Sequence, residues 1–347
     1  MLHRRAAQDA RTPRRGEKTQ PIFCTIFGAM MLVLVAEVLL LVISIYVTNV
    51  GGRLNQNAKD MLAMQVRNRV GYMQDLMQNA QDLTDLSEYI DRATLSMVNT
   101  GRLHLDALNT DSEQSSALLA AIAPELVNTL RARSVTGIFV VLNTEDLRLL
   151  DVGSGVPGIY LRDLDPDARP SEENADLLIE RGSAAVVKAL GITTDKSWQP
   201  VLRYYGLKGR GFFKEPFLRA YEDNARLSEE YYGRWTTSAY TISDDDRSAI
   251  AYSQPLILPD GTVYGVVGVE LLTSYVQEKM PYAELQNEKS GAYFLVSTTA
   301  DEDAEEFVVS KLVTSSQDSY ALEAPESMMR CERRADGCWL NLHKRDY

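Results

Sequence analysis

A phenol and a carboxylate, Tyr252 and Glu270, lie within one short stretch of the chain, residues 248–272. The same stretch holds a second tyrosine, a side-chain amide and a glycine, which are Tyr264, Gln254 and Gly268. Phenol, amide and carboxylate groups hydrogen-bond to small polar molecules, and a glycine leaves room for one. Gathered on one face of a sheet, this mixture predicts the floor of a small-molecule pocket.

A β-hairpin is the element that must position these side chains. Residues 249–258 and 262–272 mix β-branched, aromatic and small residues, as strands do. Between them stands Pro-Asp-Gly, which suits a three-residue loop with Gly261 in the left-handed position. The sequence therefore predicts two strands joined by a tight loop.

The loop also predicts the register of the two strands. It places Tyr252 opposite Gly268 and Ile250 opposite Glu270, so that Tyr252 and Glu270 share one face of the sheet. The other face then carries an apolar set suited to packing on a helix, namely Ala251, Ile257, Val263, Val267, Val269 and Leu271. Pro255 has no N–H and can mark a bulge, which would shift this parity.

Composition and charge bound the classes of function. The chain has 347 residues, of which 45% are hydrophobic, which is room for two folded domains with extensions. Its net charge is −12, with +3 on residues 1–50 and −15 on the remainder. A chain this acidic gives no indication of a nucleic-acid partner.

An apolar segment, residues 22–50, is the strongest signal in the sequence. It is long enough to cross a bilayer as a helix, and the basic tail of residues 1–21 predicts a cytoplasmic N-terminus with the rest outside the cell membrane. A cleaved signal peptide or a buried core helix are the alternatives, but the segment is too long and too free of charge to suit either well. Glu37 near its middle is costly in lipid unless neutral or paired, which would suit a contact within a homodimer.

Residues 51–100 predict one long helix that continues from the membrane segment. Apolar residues recur there every three or four positions, at Leu54, Ala58, Leu62, Val66, Val70, Met73, Met77, Ala80, Leu83, Leu86 and Ile90. A stripe of this length packs against its own domain, against a dimer partner, or against both.

Beyond this helix the pattern predicts two domains of α+β class, a larger one at 101–285 and a smaller, strand-rich one at 286–347. The predicted elements are helices at 112–133, 174–190 and 272–285, and strands at 137–143, 147–152, 159–164, 292–298, 306–313 and 338–343, besides the hairpin. Because residue 347 is reached without a second apolar run, we expect the chain to be the front part of a longer protein.

Residues suited to catalysis or to metal binding are sparse. The three histidines, His3, His104 and His343, are far apart, and no cysteine–histidine spacing fits zinc. Residues 153–158 match G-x-G-x-x-G, but a proline interrupts them and no helix is predicted to follow, so we reject a nucleotide site. The acidic run 244–246 lacks the glycine and glutamate of a calcium loop and is interpreted as a solvated loop. We expect no enzyme activity in these residues, no metal and no cofactor.

Three cysteines are too few for a disulfide scaffold. Cys24 lies in the apolar segment. Cys331 and Cys338 flank an Asp-Gly turn signal and could pair across a hairpin in an oxidising compartment, so both the paired and the free state remain open.

The order of these elements resembles the double Cache (dCache) sensors of bacterial transmembrane receptors. The segments that carry the resemblance are 156–166 (VPGIYLRDLDP), 209–223 (GRGFFKEPFLRAYED), 231–240 (YYGRWTTSAY) and 251–272 (AYSQPLILPDGTVYGVVGVELL). The resemblance covers about residues 40–345. It implies a PAS-like membrane-distal domain, in which a central antiparallel sheet with flanking helices grips a small ligand, and a smaller PAS-like domain nearer the membrane.

One branch of that family binds amino acids through an Arg-x-Trp-Tyr group, a later tyrosine and an aspartate after the last hairpin. The resemblance places Arg210, Phe212 and Phe213 at the first group, Tyr252 at the tyrosine and Glu270 at the aspartate. It implies that Arg210 takes a carboxylate, that Tyr252 and Glu270 hold an ammonium, and that the phenylalanines and Trp235 form the walls. Phe212 and Phe213 lack the polar groups of the family's tryptophan and tyrosine, and Glu270 is one carbon longer than the family's aspartate. The expected ligand is therefore an amine, an amino acid or an organic acid.

The sequence therefore predicts the extracytoplasmic, small-molecule-sensing portion of a bacterial signal-transduction receptor. Its output, which could be a histidine kinase, a cyclic-di-GMP enzyme or a chemoreceptor rod, would lie beyond residue 347. The alternatives are a membrane-anchored binding or adhesion module without output, and an exported enzyme. A second membrane span further along the gene would separate the receptor from the anchored module.

Overall fold

The structure is a computed structural model, and it describes residues 22–47, 50–168, 174–208, 211–242, 245–285, 293–298, 306–316, 330–334 and 337–340. The chain divides into two compact units, Met1–Met64 and Gln65–Tyr347. The described elements confirm the predicted α+β class.

The first unit contains helix α1, Ile22–Val47. Its 26 residues are all exposed, and at 1.5 Å per residue they extend about 39 Å, more than the roughly 30 Å hydrocarbon core of a bilayer. By length and composition, α1 can therefore span a membrane.

The predicted long helix is two helices, α2 at Val50–Gln81 and α3 at Thr84–Asn99. Asp82 and Leu83 between them are not helical. The apolar stripe divides in a similar way. Its members before Met73 are partly or largely exposed, whereas Leu83, Leu86 and Ile90 are buried in the core of the second unit.

The centre of the second unit is a seven-stranded sheet in the order β5-β4-β3-β1-β9-β8-β7. Its strands are β1 (Gly137–Leu142), β3 (Gly158–Asp163), β4 (Leu177–Arg181), β5 (Thr193–Gln199), β7 (Arg234–Trp235), β8 (Ala249–Ile257) and β9 (Val263–Leu272). Neighbouring strands are antiparallel except β4 and β5. Two short strands, β2 (Gly155–Val156) and β6 (Leu202–Arg203), pair separately.

Helices supply the rest of this core. Helix α4 spans Ser112–Arg133, and the Asp111 side chain caps it by accepting hydrogen bonds from the backbone N–H groups of Glu113 and Gln114. The shorter helices are α5 (Ala184–Leu190), α6 (Lys214–Glu222), α7 (Glu229–Tyr232) and α8 (Thr273–Glu278). One continuous set of buried apolar residues joins α3 and α4 to the sheet.

Two predicted elements of this unit are wrong. Residues 147–152 form turns rather than a strand. Residues 174–190 include strand β4 and helix α5 rather than one helix, and α5 ends at Gly191, whose φ is 64°. Glu180 and Arg181 are buried in β4. Glu180 pairs with Arg162 of β3 and with Arg247, and Arg181 donates to the Ser197 carbonyl of β5, so tertiary contacts override the helical pattern.

The described residues beyond 293 include a sheet in the order β10-β11-β12-β13. These strands are Phe294–Thr298, Glu306–Ser315, Arg330–Arg334 and Gly337–Leu340. The register of β12 and β13 sets Cys331 opposite Leu340 and Cys338 opposite Arg333. The two cysteines are thus diagonal rather than direct neighbours, and their disulfide stays a prediction.

The hairpin of β8 and β9 confirms the predicted loop. Gly261 has φ of 86°, its N–H donates to the Leu258 carbonyl at 2.8 Å, and the Leu258 N–H donates to the Thr262 carbonyl at 2.9 Å. Beyond the loop the register shifts, because Leu256 pairs with Gly265 while Ile257 pairs with Val263.

This bulge makes the predicted strand register wrong by one residue. Tyr252 lies opposite Val269, and Ala251 lies opposite Glu270. Because side chains alternate between faces, Tyr252 and Glu270 are on opposite faces of the sheet. The physical reason is the extra residue, Tyr264, which the bulge next to Pro255 accommodates.

Candidate functional site

A cavity of about 230 Å³ lies beside strand β8 in the second unit. Three parts of the chain form it: the start of α6 with the residues before it, the segment from β7 to Tyr240, and β8. Its lining residues are Gly211, Phe212, Glu215, Pro216, Arg234, Trp235, Thr236, Thr237, Ser238, Tyr240 and Ser253. Hydroxyl, guanidinium and carboxylate groups thus stand beside aromatic rings, which is a composition suited to a small polar molecule.

Hydrogen bonds to β8 hold both walls of the cavity. On one side the Ser253 hydroxyl donates to the Phe212 carbonyl at 2.6 Å. On the other, the Thr236 N–H donates to the Ala251 carbonyl at 2.8 Å, and Tyr240 exchanges two backbone hydrogen bonds of 2.9 Å with Ala249. Both walls are therefore positioned by a buried strand, which favours a site that is formed before a ligand arrives.

An aromatic cluster joins the cavity wall to the core. The Phe212 ring meets Phe139 edge-on at a centroid distance of 4.5 Å and Tyr160 at 5.4 Å. It stacks on Tyr240 at 5.0 Å. A movement of Phe212 would therefore disturb packing on β1 and β3 as well as the cavity.

A buried ion pair lies next to this cluster. Arg162 donates from Nε to Glu270 Oε1 at 2.8 Å and from Nη2 to Oε2 at 2.9 Å, and both side chains are fully buried. The Tyr160 hydroxyl also donates to Glu270, and it lies 2.7 Å from the Tyr240 hydroxyl. The carboxylate of Glu270 is thus occupied by groups of the chain itself.

Burial and the charge of Glu270 together set the protonation states of Arg162, Tyr160 and Tyr240. Burial alone would lower the pKa of Arg162, but the Glu270 carboxylate holds that pKa above the ordinary value of arginine. Burial, with the Glu270 charge added, raises the pKa of the Tyr160 and Tyr240 hydroxyls well above their ordinary value. At neutral pH both phenols keep their protons and Arg162 stays charged.

The ion pair extends into a wider network at the edge of the sheet. Arg162 also contacts Asp245 and, at 3.4 Å, Glu180. Arg247 bridges the same two acids, at 2.8 Å to Asp245 and 2.6 Å to Glu180, and reaches Asp195 at 2.9 Å. The Asp245 side chain is only 1% exposed, so the prediction of a solvated loop at 244–246 is wrong for this residue.

The structure distributes the predicted site residues over different places. Phe212 and Trp235 line the cavity. Phe213 lines a smaller cavity of about 30 Å³, which shares Gly211 and Phe212 with the first. Arg210 lies outside the described residues.

Tyr252 and Glu270 do not line the cavity. Tyr252 packs against Trp235, with ring centroids 5.7 Å apart, on the opposite face of the sheet from Glu270. The glycine gap expected at Gly268 is filled by the Phe139 ring, because a Cβ added to Gly268 would lie 2.3 Å from Phe139 Cζ. The predicted grouping of Tyr252, Gly268 and Glu270 on one pocket floor is therefore wrong.

Sequence reasoning missed Arg162, Tyr160 and Tyr240 as members of the central cluster. One signal was available, because the charged Arg162 directly follows the run Ile159–Leu161 in β3. A charge in a buried strand requires a partner, and Glu270 in the apolar run of β9 is its counterpart.

The described residues contain no group of three or more histidine, cysteine, aspartate or glutamate side chains placed to hold a metal ion. The cavity beside β8 offers hydrogen-bonding groups and aromatic walls.

Comparison with solved structures finds sensory domains of bacterial receptors. The ligand-binding domain of the Campylobacter jejuni chemoreceptor Tlp3 in complex with L-norvaline aligns with 14% identity and a TM-score of 0.36, over 77% of this chain and 72% of that one. The periplasmic sensory domain of the Campylobacter jejuni chemoreceptor Tlp1 aligns with 11% identity and a TM-score of 0.36, over 70% of each chain. A methyl-accepting chemotaxis protein X aligns with 12% identity and a TM-score of 0.30, over 66% and 72%.

No protein-family model matches the sequence, and no curated protein matches it.

Proposed function

We propose that this chain is the extracytoplasmic small-molecule-sensing portion of a bacterial transmembrane signalling receptor. The observation that carries the proposal is the cavity beside β8, whose two walls are hydrogen-bonded to a buried strand. A membrane-length helix, α1, in the same chain supports a receptor over a free binding protein.

The ligand of this site is a small polar molecule held in the cavity by hydrogen bonds and aromatic contacts. Arg234 and Glu215 bring one charge of each sign to the lining, so an amine, an amino acid or an organic acid fits its chemistry. Glu270 is not the group that holds the ligand, because Arg162 and Tyr160 already occupy its carboxylate.

The receptor is anchored by α1, with residues after 50 outside the cell membrane, and it acts as a homodimer. The exposed apolar side chains of α2 support a dimer, since Leu54, Met61, Met64 and Val70 are each at least 58% exposed. Labelling intact cells with a membrane-impermeant reagent tests the topology. If residues beyond 50 are labelled only after lysis, the topology is the reverse of the one proposed.

A ligand screen tests the sensing function. The full chain, in detergent or nanodiscs, is heated with a panel of amines, amino acids and organic acids, and one class should raise its unfolding temperature. Ser238→Trp, which fills the cavity, should abolish this rise. Ser96→Trp, at an exposed position of α3, should retain it.

A rise in Tm that survives Ser238→Trp would remove the cavity from the proposal. No rise with any member of the panel would favour an anchored module without a ligand of these classes.

A further inference from the structure

Two carboxyl groups, one on α3 and one on α7, lie outside the cavity beside β8. Asp91 lies in α3, and Glu229 is the first residue of α7. Both are partly buried, and neither lines the cavity beside β8. They are placed where α3 and α7 meet the hairpin of β8 and β9.

Hydrogen bonds connect each carboxyl group to the hairpin. The Tyr264 hydroxyl, at the bulge of β9, donates to Asp91 Oδ1 at 2.6 Å. Glu229 Oε1 accepts the Ile257 N–H at 2.8 Å, and Glu229 Oε2 lies 3.4 Å from Gln254 Nε2. The pair therefore forms the polar part of the contact between α3 and the sheet.

The groups around the pair do not neutralise two negative charges. From α3, Glu88 and Arg92 act on Asp91, but Arg92 is exposed and lies 3.3 Å from Glu88. From β9 the facing titratable group is Tyr264, whose hydroxyl is neutral at physiological pH because burial raises its pKa well above the ordinary value. On α7 itself the neighbouring acid is Glu230, which is exposed and accepts a hydrogen bond from Thr84.

The polar groups of β8 favour a proton on Glu229. Gln254 is 1% exposed, and its Oε1 has no hydrogen-bond partner in the described part of the chain. A charged Glu229 can only accept hydrogen bonds, whereas a protonated Glu229 can also donate one to an amide oxygen. Rotation of the Gln254 amide would bring that oxygen to Glu229 Oε2.

The protonation equilibria agree with this geometry. Burial, with the charge of Asp91 added, raises the pKa of Glu229 to about 7. Burial also raises the pKa of Asp91 to about 6, against the lowering effect of the Tyr264 hydrogen bond.

We propose that Asp91 and Glu229 form a proton-binding pair that holds α3 against the β8–β9 hairpin when protonated and loosens that contact when both are charged. This proton site is separate from the ligand cavity and stands whether or not the cavity binds a ligand. Through it, external pH sets how firmly α3 is held.

The direction of the pH dependence of stability follows from the coupling between proton binding and folding. The pKa of Glu229 rises from 4.5 to about 7 on folding, so the folded state binds the extra proton. The stabilisation is fully present below pH 4.5 and is lost as pH rises through 7. For Asp91 the corresponding window runs from 3.8 to about 6.

Hydrogen–deuterium exchange of the full chain in nanodiscs tests the pair. After correction for intrinsic rates, amides of α3 and α7 should exchange on the order of tenfold faster at pH 8 than at pH 5.5. Glu229→Gln keeps an acceptor for the Ile257 N–H and removes the charge, so it should hold exchange at the slow level at both pH values. Glu230→Gln, its exposed neighbour, should behave as the wild type.

Two results would overturn the proposal. One is an unchanged pH dependence of α3 exchange in Glu229→Gln. The other, which needs no variant, is a carbon-13 NMR titration of the wild-type glutamates in which every carboxyl group titrates near its ordinary value.

Discussion

Arg162 and Glu270 meet across a strand that lies between them. Arg162 is on β3, Glu270 is on β9, and both are registered with Gly137 of β1. Their side chains join over this glycine by hydrogen bonds of 2.8 and 2.9 Å. A Cβ at Gly137 would lie 2.8 Å from Glu270 Oε1, so the missing side chain is what lets the ion pair close.

Gly137→Ala should therefore destabilise the protein by about 1–3 kcal/mol, because the new methyl group crowds the buried pair. Urea unfolding of the full chain measures this change. Gly71→Ala in α2 is the matched control, since a Cβ there has nothing within 4 Å and should stabilise the helix slightly. Equal effects of the two substitutions would show that Gly137 is not needed for the pair.

Arg162→Met should lower the free energy of unfolding by about 3–5 kcal/mol, because it leaves a buried carboxylate without its cation. Glu270→Met should cost less, since Arg162 keeps Asp245 and Glu180. The double variant should be more stable than the sum of the single losses predicts, which a double-mutant cycle in urea measures. Strict additivity would contradict a direct coupling of Arg162 and Glu270.

The exposed ion pair of Arg148 with Asp146 is the control for that series. Arg148 is 48% exposed, so Arg148→Met should change the unfolding free energy by less than about 1 kcal/mol.

Acid should weaken the network through Asp245. Burial would raise the pKa of Asp245, but hydrogen bonds from Arg162 and Arg247 hold it below its ordinary value of 3.8. The folded state then binds fewer protons, so this stabilisation is present above pH 3.8 and is lost as pH falls below it. Asp245→Asn should lower stability at pH 7 and show a smaller further loss in acid, measured by urea unfolding at several pH values.

Asp246→Asn, at an exposed neighbouring position, should follow the wild-type acid profile. If Asp245→Asn follows it too, Asp245 contributes nothing to the acid dependence.

Tyr252→Phe should leave a ligand-induced rise in Tm unchanged. The reason is geometric, since Tyr252 lies on the opposite face of the sheet from Glu270 and does not line the cavity. The measurement is the ligand screen described for the cavity, with Ser238→Trp as the variant that loses the response. A response lost in Tyr252→Phe would place the ligand on the other side of the sheet.

Local patterns determined much of the architecture. The apolar run within residues 22–50 forms α1. The Asp111 side chain caps the start of α4, and the loop at Gly261 joins the two strands of the hairpin. Each of these depends on residues close together in the chain, whose propensities and hydrogen bonds act without distant partners.

The make-up of the central cluster was decided only by the tertiary structure. The bulge at Tyr264 moved Tyr252 away from Glu270, and a register change of one residue exchanges every side chain between faces. Glu270 then received Arg162 from a strand more than 100 positions away along the chain, across a glycine that leaves room for both. The sequence by itself determined a helix long and apolar enough to span a membrane, and a hairpin rich in polar groups. Which of those groups remain available to a ligand depends on contacts between distant parts of the chain. The reason is that a buried charge requires a partner, and only the tertiary structure determines which residue lies close enough to be that partner.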